Sequence, residues 1–210
     1  MKNTKEKVDK LKFENIERAK GRALIAGADE VGRGPLAGPV VCAAVIMPLD
    51  DIIEGIDDSK KLSEKKREKL YDQILEKATA FSIEWVFEDE IDKINILNAT
   101  KKCMANAINN LETKPDVCLV DALDGLETDV ELVSIVHGDA LSYNIGAASI
   151  LAKVTRDRFM EEQDKLFPEY GFAKHKGYGT KLHMDALRSI GPCKIHRRSF
   201  IKFLGEETHE

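Results

Sequence analysis

Cysteine, proline and tryptophan are scarce in this chain, and no long apolar run interrupts it. Four cysteines (Cys42, Cys103, Cys118, Cys193), six prolines and the single Trp85 are spread over 210 residues. The scattered cysteines show neither a disulfide framework nor the spacing of a zinc site. Cys42 and Cys118 lie inside strand-like apolar runs, where buried thiols are expected. No apolar stretch approaches the roughly 20 residues that cross a bilayer. Met1-Lys2-Asn3-Thr4-Lys5-Glu6 carries charge where a secretory leader would carry an apolar core. The expectation is a cytoplasmic protein with no membrane partner. Repeats, low-complexity tracts and Pro/Gly/Ser linkers are also missing, so one domain with a small appendage is expected. The lack of a large apolar heptad points to a monomer.

What is present is 43% hydrophobic and 33% charged, the composition of a globular protein rather than a disordered one. The net charge of −5 argues against a nucleic-acid partner until its distribution is read. Residues 151–203 hold 12 Lys and Arg against 6 Asp and Glu, or +6, which leaves 20 against 31, or −11, for the remainder. That basic quarter is either a phosphate-binding face on an acidic body or a solvated helical surface.

Periodicity places the elements. Residues 1–20 space Val8, Leu11, Ile16 and Ala19 as a weakly amphipathic helix. Strands are expected at 24–29, 39–47, 81–87, 116–123 and 130–136, the first two as an antiparallel hairpin across a glycine-rich turn. Helices are expected at 63–78, with Ser63 as N-cap, and at 91–111, 142–166 and 180–190, the last stopped by Gly191-Pro192. The pattern is an α/β fold with a mixed five-stranded sheet flanked by helices and a helical C-terminal extension. Trp85, in an alternating strand, is read as core, and the five histidines as packing or surface residues.

The segment Asp29-Glu30-Val31-Gly32-Arg33-Gly34-Pro35-Leu36-Ala37-Gly38-Pro39-Val40-Val41 carries the chemistry. It sets two acids at the end of an apolar strand, where carboxylates are costly unless paired or metal-bound. The Gly-Arg-Gly turn that follows lets backbone amides and a guanidinium approach an anion. Asp121 lies late in the fourth strand, and Asp139 follows the fifth. If the first and fourth strands are neighbours and the exit of the fifth turns back over them, four acids converge. Such a cluster repels itself unless a cation sits within it. Hard oxygen ligands favour Mg²⁺ or Mn²⁺, and four acids can hold two ions about 4 Å apart, the arrangement of phosphoryl transfer. Spacing alone does not establish convergence.

Five motifs in order resemble ribonuclease HII, the bacterial enzyme that incises RNA within duplex DNA. The first is the block from Asp29 to Val41; the second is Asp58-Ser59-Lys60-Lys61-Leu62-Ser63; the third is the strand ending at Asp121. The fourth is Gly138-Asp139-Ala140 with Ala147-Ala148-Ser149-Ile150-Leu151-Ala152-Lys153-Val154-Thr155-Arg156-Asp157. The last is Tyr170-Gly171-Phe172-Ala173-Lys174-His175-Lys176-Gly177-Tyr178-Gly179-Thr180, followed by Gly191-Pro192 and His196-Arg197-Arg198-Ser199-Phe200. The resemblance covers residues 24–203. It departs at Leu141, where a polar or basic residue is expected, at Asn144-Ile145-Gly146 and at Leu182.

The resemblance implies an RNase H-like fold. It divides the chain into an N-terminal segment (1–22), a catalytic domain (23–166) and a substrate-binding extension (167–210). It implies that Asp29, Glu30, Asp121 and Asp139 are the catalytic acids and bind two divalent ions. It also implies that Gly32, Arg33, Gly34 and Tyr178 read the RNA–DNA junction through the ribose 2′-hydroxyl, the group that distinguishes RNA from DNA. The implied reaction is hydrolysis 5′ of a ribonucleotide, in an RNA–DNA hybrid or embedded in duplex DNA, leaving a 3′-hydroxyl and a 5′-phosphate. Lys60 and Lys61 either touch a phosphate or belong to a solvated loop. Lys153 and Arg156 share a helix face, Arg158 lies on the same helix, and Arg197 and Arg198 are candidate contacts to the nucleic-acid backbone. Two alternatives remain. Ribonuclease HIII generally carries an extra N-terminal domain and lacks the Gly-Arg-Gly turn, whereas this chain has Arg33. A catalytically silent binding module of the same fold would not need four intact acids. The tail from Gly205 shows no pattern for a sliding clamp.

Overall fold

The glycine-rich turn folds the first two strands back on each other. In the computed structural model, which describes residues 8–206, α1 (Lys12–Ala19) leads into β1 (Ile25–Val31), which pairs antiparallel with β2 (Val40–Ile46). The parts of the expected N-terminal helix at residues 1–7 and of the C-terminal tail at 207–210 lie outside the described residues. A 3₁₀ turn (Ser59–Lys61) and α2 (Glu64–Lys77) follow, with the Ser63 hydroxyl accepting from Lys66 N as an N-cap. Next come β3 (Ala80–Val86), α3 (Glu88–Ile94), α4 (Ile96–Asn109), β4 (Val117–Asp121) and β5 (Leu132–Ile135). The described residues then continue through α5 (Gly138–Leu141), the 24-residue α6 (Tyr143–Leu166), α7 (Phe172–His175), α8 (Lys181–Ile190), a 3₁₀ turn at Arg198–Phe200 and α9 (Phe203–Glu206).

The strands form one mixed sheet in the order β3-β2-β1-β4-β5, antiparallel on the β2 side of β1 and parallel on the β4 side. The period of two sorts β2 between two cores. Val40, Cys42, Ala44 and Ile46 pack with α4 residues Cys103, Met104 and Ile108 on one face. Val41, Ala43 and Val45 pack with Leu70 and Ile74 of α2 and Ala147, Ala148 and Leu151 of α6 on the other. A third cluster joins Met160, Tyr170, Phe172, Leu187, Ile195 and Ile201 to Ala37 of the glycine turn. The C-terminal segment is thereby docked on the loop that follows the first acids.

Single residues decide where the elements differ from the sequence pattern. The expected helix 91–111 is two helices, because Asn95 adopts φ 66° and caps α4 through Asn98 N. β4 is shorter than expected. Asp116 is spent accepting from Ala23 N and Leu24 N at its start, and Ala122 with φ 39° stops it. Cys42, Cys103 and Cys118 are buried and Cys193 half-buried, all as free thiols. Trp85 is half-buried, stacked on Phe87 and packed against Phe159. Leu141, the departure noted above, packs against the cluster of Ile25, Val117, Leu119, Ile135 and Ile145. None of the described helices is long and apolar enough to cross a membrane.

The N-terminal helix has a role that the sequence pattern does not show. Glu14 is fully buried at the start of α6, where its Oε1 accepts from Ser142 Oγ at 2.6 Å and Asn144 N at 3.0 Å. A carboxylate at a helix N-terminus satisfies orphan amides and meets the positive end of the dipole. Burial still raises its pKa above the ordinary carboxyl value. Lys10 Nζ donates to Ala140 O at 2.5 Å, holding the turn next to Asp139.

α6 crosses β1 at Gly27, where a Cβ would stand 2.2 Å from the carbonyl carbon of Asn144 and 2.3 Å from Ile145 N. Backbone cannot yield as a flexible side chain does. Gly27→Ala is expected to cost about 3 kcal/mol of unfolding free energy, read from the midpoint of a urea denaturation curve.

Candidate active site

Parallel strands end at the same sheet edge, and here that edge carries the acids. Ala28 is the Cα partner of Val120, so one step further along each strand brings Asp29 level with Asp121, the last residue of β4. Asp121 is in turn the partner of Ile135 in β5. The chain leaves β5 through His137 at φ 58°, and Gly138 N donates to Asp121 Oδ1 at 2.8 Å. Asp139 follows on the first turn of α5. Glu30 stands beside Asp29 at the end of β1, its Oε1 3.5 Å from a guanidinium nitrogen of Arg33. The four acids that the sequence singled out are therefore gathered at one edge by strand register and one tight turn.

Their electrostatics are unfavourable without a cation. Asp29 is 5% exposed. Burial holds its carboxyl well above the usual range, and the charges of Glu30 and Asp121 push the same way against a hydrogen bond from Ser149. Glu30 is raised by burial and by Asp121, with Arg33 opposing. Asp139 is raised by burial, Asp58 and Asp121, with Lys60 opposing. The Lys60 ammonium lies 3.7 Å from Asp139 Oδ2. Burial would lower its pKa, yet the charges of Asp29, Asp139, Asp58 and Asp121 raise it. Among the described residues no three His, Cys, Asp or Glu side chains form a ready-made cage for an ion. The acids are coupled through the field rather than already closed on a common point. A divalent cation fits this donor set, because the oxygens are hard ligands and one exposed lysine leaves most of their repulsion standing.

The second motif enters through Ser59, which is buried and shares a 2.9 Å hydrogen bond with Ser149 of α6. This pair ties the Lys60 loop to the helix that hydrogen-bonds Asp29. Neither serine was singled out from the sequence, although both lie in its motifs; hydroxyls there carry no charge signal. Lys61 stays on the surface, 3.7 Å from Asp58 Oδ2.

The substrate-facing candidates divide sharply. Gly32 has φ 96°, and a Cβ there would stand 2.4 Å from Arg156 Nε and 2.7 Å from Pro39 O, so only glycine fits. Gly34 lies against Tyr178, whose Cε1 would be 3.7 Å from an added Cβ; the tyrosine is 43% exposed. Arg33 extends from the surface with its side chain 46% exposed. Arg198 is exposed, and its backbone N donates to Asp92 Oδ2 at 2.7 Å.

Arg197 corrects the sequence-based expectation of a backbone contact to nucleic acid. It is fully buried and donates to Gly38 O at 2.9 Å, Arg33 O at 3.0 Å, Pro35 O at 2.9 Å and Gly32 O at 2.6 Å. Arg156 is also fully buried and binds the carbonyls of Pro39, Ala37 and Lys176. A planar fork of donors matches a row of carbonyls, and this satisfies each buried charge. Burial lowers Arg197 to about 9 and Arg156 to about 10, so both stay charged at neutral pH. The other basic residues of α6 are also engaged, Lys153 with Asp157 at 2.7 Å, Arg158 with Glu68 and Lys165 with Glu162 at 2.6 Å.

The arginine forks set the direction of the loop's amides. Among the described residues no peptide bond is cis, and in a trans peptide the C=O of one residue opposes the N–H of the next. Carbonyls of Gly32 and Arg33 drawn inward by Arg197 therefore turn the N–H groups of Arg33 and Gly34 away from it.

Two outcomes follow from these contacts. Neutralising a carboxyl whose pKa is raised on folding removes a charge that opposes folding at neutral pH, since the native state binds the proton more tightly than the unfolded chain. Asp29→Asn is expected to raise Tm by a few degrees in chelator, checked by calorimetry at pH 7. Arg197→Lys keeps the charge but not the fork, and is expected to destabilise by about 3 kcal/mol, measured by chemical denaturation.

The sequence and the fold both match known ribonucleases H of type 2. The family model described as Ribonuclease HII matches residues 26–203. A ribonuclease HII of Acetivibrio thermocellus is 56% identical over 190 residues, covering 90% of this chain and 74% of the relative. The crystal structure of ribonuclease H2 from Pyrococcus horikoshii superposes with a TM-score of 0.76 at 27% identity, over 88% of this chain and 98% of that one. The RNase HII of Archaeoglobus fulgidus, solved in complex with PCNA, gives a TM-score of 0.72 at 28% identity, over 83% and 94%. An acid cluster at the ends of β1 and β4, a glycine turn held open by a buried arginine and these matches lead to one conclusion: the chain belongs to the ribonuclease HII family of metal-dependent endoribonucleases.

Proposed function

We propose that this protein hydrolyses the phosphodiester 5′ of a ribonucleotide, in an RNA–DNA hybrid or singly embedded in duplex DNA, with Asp29, Glu30, Asp121 and Asp139 holding divalent cations. Mg²⁺ and Mn²⁺ both suit the all-oxygen ligand set. When bound, such ions stabilise charge on the phosphate and lower the pKa of a water. The reaction joins a water oxygen to phosphorus and breaks the bond to the 3′-oxygen of the preceding nucleotide. That oxygen takes up a proton, leaving a 3′-hydroxyl and a 5′-phosphate.

The chain's own residues orient the substrate. Amides of Arg33 and Gly34, turned away from Arg197, are donors for the ribose 2′-hydroxyl. The Arg33 guanidinium faces phosphate, and the Tyr178 ring beside Gly34 packs under a neighbouring sugar. Lys60 and Arg198 supply positive charge near the strand path, with salt-dependent effect. In this reading residues 23–166 are the catalytic unit, 167–210 the substrate-binding extension built on the third apolar cluster, and 1–22 the segment that braces α6. Four unpaired thiols suit a reducing cytoplasm, and the protein acts as a monomer.

The observation that carries the proposal is the register that sets Asp29 level with Asp121, with Asp139 one hydrogen-bonded turn away. The test is incision of a duplex carrying a single ribonucleotide, with Mg²⁺ or Mn²⁺ and an all-DNA duplex as control. Cleavage is expected only at the ribonucleotide and only with metal. Asp121→Asn is expected to lower kcat by at least about 100-fold. Incision at the parent rate by Asp121→Asn, or equal cutting of the all-DNA duplex, would refute the assignment.

A further inference from the structure

Three histidines lie in the third apolar cluster with 8% (His175), 0% (His183) and 1% (His196) of their surface exposed. Each ring nitrogen has a partner, and the partners fix the protons. His183 Nδ1 is 2.9 Å from Tyr178 O, and a carbonyl can only accept, so Nδ1 carries the hydrogen. In a neutral ring Nε2 is then bare. His196 Nε2, 2.9 Å away, must donate to it. His196 Nδ1 is left as an acceptor, and Cys193 N–H supplies the bond at 3.0 Å with the thiol at 3.2 Å. The Cys193 carbonyl, 3.3 Å from the same nitrogen, already accepts from the His196 backbone N–H. The opposite order would set His183 Nδ1 and Tyr178 O face to face as two acceptors.

Charge on the pair is disfavoured. His175 stacks on His183 with centroids 4.5 Å apart. Its own Nε2 donates to Tyr170 O at 2.8 Å, and its Nδ1 accepts from Gly177 N at 3.2 Å. Burial, then the neighbouring His183, lowers His196 to about 4, with Arg198 pushing the same way.

The chain ends on the Tyr178 peptide. Its carbonyl accepts from His183 and from Thr180 N, its N–H donates to His175 O at 2.9 Å, and Leu36 N of the glycine turn bonds Gly177 O at 2.8 Å. We propose that His183 and His196 are positioning residues for junction reading: a proton-ordered chain runs from Cys193 N–H through two neutral imidazoles to the Tyr178 carbonyl and fixes the tyrosine ring beside Gly34. The role rests on Tyr178 being a junction-reading group, and neither buried histidine touches substrate.

Two measurements on the full chain test it. Nitrogen-15 NMR of the imidazoles at neutral pH is expected to show His183 protonated on Nδ1 and His196 on Nε2; either opposite tautomer overturns the chain. A double-mutant cycle then measures kcat/KM on the single-ribonucleotide duplex. His183→Leu is expected to lower it about tenfold with Tyr178 present and to add little in Tyr178→Ala. His183→Asn, whose amide can reach the same carbonyl, is expected to recover most of the loss; if the leucine variant does not fold, the imidazole tautomers carry the test. An equal loss with and without the tyrosine ring, or no loss, removes the positioning role and leaves the reading of Tyr178 intact. A Tyr178→Ala protein cutting at the parent rate removes that reading, and the histidines' role with it.

Discussion

The parallel pairing of β1 with β4, Ala28 opposite Val120, sets two carboxylates level at one edge of the sheet, and most of the remaining structure answers that concentration of charge. Asp29 is held at 5% exposure between α6 and the end of its strand, where ionisation is opposed by burial and by two acidic neighbours. Groups around it offset part of the cost. Ser149 hydrogen-bonds Asp29, Arg33 faces Glu30, and Lys60 reaches Asp139. The rest of the cost stays with the acids and leaves this end of the sheet locally unstable.

The backbone around the acids is correspondingly unusual. Ala122 and His137, which follow β4 and β5, both have positive φ. Such conformations persist where the surroundings over-determine them. Here the surroundings include Lys10, just ahead of α1, and Glu14 within it, which tie down Ala140, Ser142 and Asn144 from outside the sheet. A helix that reads as a weak amphipathic prelude acts as a brace on the turn that presents Asp139.

Arginine does two jobs within a few ångströms. Arg33 keeps its charge at the surface. Arg156 and Arg197 have no exposure and hold the carbonyls of the loop between β1 and β2. Their value lies in the planar fork, which no lysine reproduces. The glycines of the loop and these guanidiniums form one device: glycine permits the close approach and the positive φ, and the forks lock the resulting peptide planes.

Residue pattern alone determined the strands, the hairpin, the Ser63 cap and the four acids, because alternation, turn chemistry and carboxylates at strand ends are local signals. The family's motif order further named the turn and the tyrosine. Tertiary structure decided what those signals cannot carry. Asn95 broke a continuous apolar stripe into two helices through one backbone angle. Arg197 and Arg156, indistinguishable by charge count from nucleic-acid contacts, were turned inward by carbonyls more than 100 residues away in sequence. Glu14, the Ser59–Ser149 pair and the ordered histidines acquired their roles only through partners that the fold delivers. Composition registers a group's charge, whereas burial and the identity of its hydrogen-bond partner, which set what that charge does, exist only once the chain is packed.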